Sequence, residues 1–294
     1  MIYFVTDSLL PNYIDDVTPY KYPINGCFYG VSLRSLETCY PYYILKNSGC
    51  DLEIQLITYD MLNMVNVNDV IVFYRDKHYS DEYIINQINC TLVQIVTDTP
   101  VIDNVDMYIT YDPSVIERDV SRRWWHVLYP LPIGLVKIKP TWPPTNITCV
   151  SPDMYTSSKQ ERSDKYTYIT NSYHNTGNEH IFFHLRDSII KHDDLSLDNR
   201  MKFPSHKTAN RLYQSWYAGA PGIFTPNPAM EYIKKTQYDY LSATTIEELE
   251  HNVNRLKNDK DLYHHMVSIC RARADENSHD VIYKQWVSVL EELL

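Results

Sequence analysis

A lysine and an arginine four residues apart, Lys207 and Arg211, lie in a stretch that reads Ser205-His206-Lys207-Thr208-Ala209-Asn210-Arg211-Leu212-Tyr213-Gln214-Ser215-Trp216-Tyr217-Ala218-Gly219-Ala220-Pro221. Ser205 is of a type that caps helix N-termini, and Gly219 followed by Pro221 is a stop signal. A helix of about three to four turns fits between them. At about 100° per residue, Ala209, Leu212, Tyr213 and Trp216 share one face, while Lys207, Arg211 and Gln214 share the other. Cations in a first turn repel the positive end of the helix dipole and each other unless an anion joins them. A diphosphate fits that need, held by two side chains and by first-turn amides. The alternative is a solvated helix face.

The residues beyond the helix favour the anion. Residues 218–225 lead into a short strand that ends in a Thr-Pro-Asn-Pro loop, and ligands of open α/β sheets bind at such strand ends. A second polar turn, from Asn171 and Ser172 to Gly177, also follows a strand; its amides suit phosphate or nucleotide, or it is an ordinary surface turn. His180 and His184 are four apart on an expected helix near 178–191, which is zinc-pair spacing, but no glutamate base or third ligand accompanies them. Asp259-Lys260-Asp261 has DxD spacing within a charged stretch and reads as a helix cap, so no metal site is expected.

The elements that must position these residues are alternating apolar runs and helical stretches. Ile2–Thr6, Leu52–Thr58, Asp69–Tyr74, Leu92–Thr97, Met107–Thr110 and Val127–Leu131 read as six strands, with helices at Ser32–Asn47, near Asp81–Ile88 and from Pro113. Such alternation predicts a parallel sheet covered on both faces. The proline-rich segment Lys139-Pro140-Thr141-Trp142-Pro143-Pro144-Thr145 interrupts it. Beyond that break, Tyr166–Thr170 starts a second βα series. Thr245 and Glu248 form a capping box, and Ile282, Trp286, Val289, Leu290 and Leu293 give the last helix an apolar stripe. The expected organisation is a first α/β domain at 1–138, a linker at 139–146, a second α/β domain at 147–278 and a terminal helix at 279–294.

Composition narrows the class. The chain has 294 residues and is 44% hydrophobic, enough for two cores. Its net charge of −10, with acids spread throughout, excludes a general nucleic-acid binder. No apolar stretch is long enough for a membrane span, and the N-terminus lacks a signal peptide's basic flank, so a cytoplasmic protein is expected. The six cysteines show no paired spacing and read as reduced thiols. Tyrosine is abundant, at 26, which suits a surface that handles sugars.

The run from Lys207 to Glu231, with Lys-Thr-Ala-Asn-Arg-Leu, Trp216, Ala218-Gly219-Ala220-Pro221 and Ile223, resembles the donor-binding segment of GT-B glycosyltransferases of the family 4 and family 1 kind. The region from Tyr240 to Leu293 is similar too. The resemblance covers about the last ninety residues in detail and the rest in architecture only. The tyrosine- and asparagine-rich style is similar to that of glycosyltransferases from large DNA viruses. The resemblance implies two facing Rossmann-like, doubly wound domains and a last helix that crosses back to the first domain. It also implies transfer of a sugar from a UDP- or GDP-sugar to a glycan or glycoconjugate hydroxyl, without metal or other cofactor. Ser205, His206, Lys207, Thr208, Arg211, Gln214 and Glu231 would bind the donor, joined by Asn171 and Ser172. Many retaining members carry acidic residues where this chain has His206 and Gln214.

Glycosyl transfer puts negative charge on the departing diphosphate, which Lys207 and Arg211 would meet. An inverting course also needs a base for the acceptor hydroxyl, at a strand end of the first domain. Asp98 is the first choice, with Asp7, Asp76 and His78 as further candidates and Asp15 and Asp16 in reserve. Two other readings share the architecture: a sugar-nucleotide epimerase or hydrolase, and a non-catalytic nucleotide-sugar-binding module.

Overall fold

A computed structural model describes residues 1–6, 35–74, 90–97, 101–129, 137–150, 167–169, 180–185 and 208–294. The chain forms two compact units. Unit 1 takes in Met1–Ile133, Ser205–Thr208 and His279–Leu294, and unit 2 takes in Gly134–Pro204 and Ala209–Ser278.

Unit 1 is built on the strands β1 (Ile2–Thr6), β2 (Ile54–Thr58), β3 (Val70–Tyr74), β4 (Thr91–Val96), β5 (Met107–Thr110) and β6 (Trp124–His126). They form a parallel sheet in the order β2-β1-β3-β4-β5-β6. All residues of β1 and β3 are buried, as continuous apolar runs in a sheet covered on both faces must be. Helix α1 (Ser35–Asn47) and the last helix of the chain, α7 (His279–Glu291), lie against one face. There the Phe4 ring meets Tyr42 at 5.9 Å and Trp286 at 6.0 Å. On the other face Tyr3, Val5, Ile71 and Phe73 pack with Ile57, Tyr59, Leu62 and Ile102. The short helix α2 (Ser114–Arg118) follows β5, with Pro113 at its N-cap.

The sixth strand differs from expectation. It is Trp124–His126 rather than Val127–Leu131, because β5 ends at Thr110, which pairs with His126 and accepts the Val127 amide at 3.1 Å as the last bond between the two.

Unit 2 carries β7 (Ile147–Val150), β8 (Thr167–Ile169), β9 (Ile181–His184), β10 (Gly222–Phe224) and β11 (Leu241–Ser242), in the parallel order β11-β10-β9-β7-β8. Read from its first strand, this order matches that of unit 1: second, first, third, fourth, fifth. The helices are α3 (Asn210–Ala218), α4 (Pro228–Ile233), α5 (Ile246–Asn258) and α6 (Lys260–Glu276). One core joins Ile147, Ile181, Phe183, Ile223 and Leu241 of the sheet to Leu249, Val253 and Leu256 of α5 and Tyr263, Met266 and Val267 of α6.

Two strand expectations for this half are corrected. Ile147–Val150, not the run near Tyr166, is its first strand. Residues 181–184 form a strand rather than a helix, since Ile181-Phe182-Phe183 is a buried, β-favouring run. Residues 180 and 184 therefore lie about 13 Å apart along an extended chain rather than on one helical face.

The capping signals are realised. Thr245 Oγ1 accepts the Glu248 amide at 3.2 Å, and Glu248 reaches back to the Thr244 amide at 2.6 Å. Asp259 accepts the Leu262 amide at 2.9 Å and so caps α6, the role read for the DxD stretch. The buried side of α7 is Ile282, Trp286, Val289 and Leu290. Among the described residues no helix is long and apolar enough to cross a membrane.

Candidate functional site

The crossover from β9 to its parallel neighbour β10 contains α3, whose N-terminus therefore faces the carboxyl ends of the strands, where α/β sheets bind ligands. This helix is shorter than expected. It has nine residues and starts at Asn210; Ala209 stands at its N-cap and makes no side-chain capping bond. Ser205 is thus not the cap, and Lys207 precedes the first turn. Ala209 is fully buried, and the packing of that apolar residue rather than a capping side chain sets the helix start. The other end follows the sequence: Gly219 adopts φ +73°, and its amide and that of Ala220 bond back to Trp216 and Ser215 at 3.0 and 3.1 Å.

One face of α3 packs as its periodicity predicted. Ala209, Leu212, Tyr213 and Trp216 are buried, and the Trp216 indole donates to the Asp239 carbonyl at 3.3 Å. Gln214 departs from the prediction. It is fully buried rather than on a solvated face, because α6 packs against α3 and narrows the exposed stripe to Asn210, Arg211 and Tyr217, themselves half-buried. Arg211 Nη1 donates to Gln214 Oε1 at 3.4 Å, whereas Gln214 Nε2 is enclosed with no hydrogen-bond partner. A buried amide donor without an acceptor marks a place where a polar partner is missing. The first turn contains no acidic residue to compete with an anion. Arg211 thus stands in the first turn of α3, one turn before the buried Gln214 amide.

The remaining expected site residues fall into two groups. Thr208 is half-buried and sorts with unit 1. Glu231 lies in the first turn of α4, where its carboxylate accepts from the Tyr240 hydroxyl and pairs with Lys234 at 3.3 Å. Burial and the Glu231 carboxylate both push the Tyr240 hydroxyl upward, and their hydrogen bond ties α4 to the residue before β11. Ser205, His206, Lys207, Asn171, Ser172, Asp7, Asp76, His78 and Asp98 lie outside the described residues, as do the reserves Asp15 and Asp16. The strands leading to the base candidates are described. β1 ends at Thr6, β3 at Tyr74 and β4 at Val96, all on the carboxyl edge of the first sheet. A buried chain of hydroxyls borders that edge: Tyr59 donates to the Tyr74 carbonyl at 2.7 Å, and Thr97 to the Tyr74 hydroxyl at 3.2 Å.

Sequence reasoning missed His126. It closes β6, its Nε2 is enclosed without a partner, and burial pulls its pKa down against the opposing charge of Asp112. Its place at a strand's carboxyl end was the signal available, hidden by the displaced strand boundary.

No protein-family model matches the sequence, and no curated protein matches it. Solved structures do match. The Gap123 glycosylation-associated protein complex of Streptococcus agalactiae superposes with a TM-score of 0.51 at 11% identity, over 80% of this chain and 56% of that one. The pneumococcal O-GlcNAc transferase GtfA, in complex with UDP and GlcNAc, gives 0.50 at 12%, over 80% and 58%. HepE of Anabaena, in complex with UDP, gives 0.52 at 8%, over 85% and 89%. The likeness is one of fold: mixed α/β with parallel sheets, as in GT-B-like glycosyltransferases. It does not extend to family 4 or to a viral source. This chain spans little more than half the length of the two streptococcal chains.

Proposed function

We propose that this chain is a glycosyltransferase that takes a sugar from a nucleoside-diphosphate donor to an acceptor hydroxyl. The observation that carries the reading is Arg211 in the first turn of α3, a helix of nine residues, bonded to Gln214, whose Nε2 is enclosed without a partner. The likeness to structures that hold UDP supports a nucleotide as the ligand. Arg211, with Lys207 preceding the helix, meets the diphosphate, and the amide of Gln214 donates to an oxygen of the same ligand.

In the reaction, the acceptor hydroxyl gives up its proton and its oxygen bonds the anomeric carbon, while the bond from that carbon to the diphosphate oxygen breaks with its electron pair. The leaving charge is met by side chains and helix amides, so the chemistry asks for no metal. Asp98, Asp7, Asp76 and His78 remain the proposed bases for an inverting course.

Thermal shift against a panel of UDP-, GDP- and dTDP-sugars tests the site. UDP-sugars are expected to stabilise the protein, and Arg211→Ala and Lys207→Ala to weaken that effect about ten- to hundredfold in affinity, as loss of a charge-assisted hydrogen bond implies. Unchanged affinity in both variants removes the assignment. Release of nucleoside diphosphate only with an acceptor distinguishes transfer from epimerisation or hydrolysis.

A further inference from the structure

We propose that His180 is an acid-released latch that holds the proline-rich strap of unit 2, residues 138–146, against the sheet. The inference is independent of the glycosyl-transfer reading. The imidazole stands just before β9 and turns its Nδ1 toward the start of β7. Three donors converge on that nitrogen: the Thr145 amide at 3.1 Å, the Asn146 amide at 3.3 Å and the Thr145 hydroxyl at 3.4 Å. The backbone doubles the clasp, since the amides of His180 and Ile181 both donate to the Asn146 carbonyl, at 2.8 and 3.2 Å.

Two backbone amides cannot change their role, so Nδ1 must keep its lone pair. The ring is then the neutral tautomer with its proton on Nε2. A proton taken from solvent onto Nδ1 converts the acceptor into a donor facing two donors, and the ring side of the clasp is lost.

The strap is pinned to unit 2 at three other points. The Ile138 amide donates to the Ala218 carbonyl at the end of α3, at 2.7 Å. Lys260 sits over the Trp142 ring at 5.9 Å. The Tyr263 hydroxyl interacts with the Thr141 backbone and reaches the His180 carbonyl at 3.4 Å. Charged or titratable groups on the elements packed here include Lys260, Tyr263 and His264 of α6, with Lys139 on the strap itself. Burial pushes the Tyr263 hydroxyl up to about 12, so it does not titrate with an imidazole. Of the four pins, only His180 changes its hydrogen-bonding role on mild acidification.

The test is hydrogen exchange at the amides of Thr145 and Asn146 in the full chain at pH 7.5 and 5.5, corrected for intrinsic rates. In the parent, protection is expected to fall by at least about tenfold on acidification. His180→Asn, which cannot take a proton, should abolish that pH dependence at whatever level its own protection sits. Nitrogen chemical shifts of the parent at pH 7.5 should report an unprotonated Nδ1. Protection that is equal at the two pH values, an acid loss that survives in His180→Asn, or a protonated Nδ1 at pH 7.5 overturns the proposal.

Discussion

Replacing Gln214 by methionine is expected to make the empty protein more stable and the nucleotide-bound protein less so. The side chain is fully enclosed, and its Nε2 has no partner. An unsatisfied buried amide costs about 1–3 kcal/mol. Against this stands one bond, from Arg211 to Oε1, whose 3.4 Å length places it at the weak end of the range. Its loss costs no more than about 0.5–1 kcal/mol. Methionine matches glutamine in length and branching, so no cavity opens. The empty variant should gain about 1 kcal/mol, or roughly 3 °C in Tm for a unit of this size. Nucleotide at a hundredfold excess over Kd stabilises the parent by about 2.7 kcal/mol. Loss of one ligand hydrogen bond weakens affinity roughly tenfold and cuts that stabilisation to about half. Paired melts with and without UDP measure both effects. A variant that melts lower than the parent when empty, with an unchanged UDP shift, would show that the amide has a protein partner and that the site lies elsewhere.

Arg273 and Asp239 form a buried pair at 2.7 Å, and Asp239 also accepts the amides of Lys235 and Thr236 at 2.9 and 2.5 Å. Arg273→Met should therefore cost about 3–5 kcal/mol in urea denaturation, and adding Asp239→Asn should recover at least about 1 kcal/mol of it. Burial lowers the pKa of His126 and of His279, outweighing the charges of Asp112 and Asp280. The unfolded chain then binds protons that the native one refuses. Stability is full above the ordinary imidazole value of about 6.5 and is lost below it, by up to about 1.4 kcal/mol per pH unit for each histidine. The urea midpoint should fall from pH 7.5 to 5.5, and a midpoint that rises contradicts the depressed values. Gly219→Ala should cost about 1 kcal/mol, the backbone penalty of φ +73° alone, since a Cβ would meet only the Arg271 stem at 3.7 Å. Gly222→Ala should cost more, about 3 kcal/mol, because its methyl would overlap the buried Phe224 ring; equal losses in thermal melts would refute this comparison.

Five strands of the first unit were legible because each is a continuous apolar run between turn residues, a pattern that needs no tertiary context. The sixth was misplaced by three residues, since its extent depends on where its neighbour β5 stops, and Val127 and Tyr129 are buried beyond its end. Residues 181–184 were misread because a short apolar run fits a buried strand or a helix equally well by periodicity. The apolar face of α3 was legible at a period of 3.6. Its starting residue was not: Ser205 offers a capping hydroxyl, but helix formation waits for Asn210, where the buried Ala209 fixes the entry. The burial of Gln214 was invisible as well, because it depends on α6, contributed by residues about fifty positions later.

The placement of α7 affects how the protein is made. Phe4, in the first strand, reaches its indole neighbour only at Trp286, and Leu128 satisfies its amide on Gln285 at 2.9 Å. A ribosome delivers the chain from the N-terminus, so the face of the first sheet that α1 and α7 share stays only partly covered until residues 279–291 have emerged. The second sheet and its helices are complete earlier, ahead of the segment that closes the first. Nascent chains stalled before residue 279 should therefore display a finished second unit and a sticky, chaperone-dependent first one.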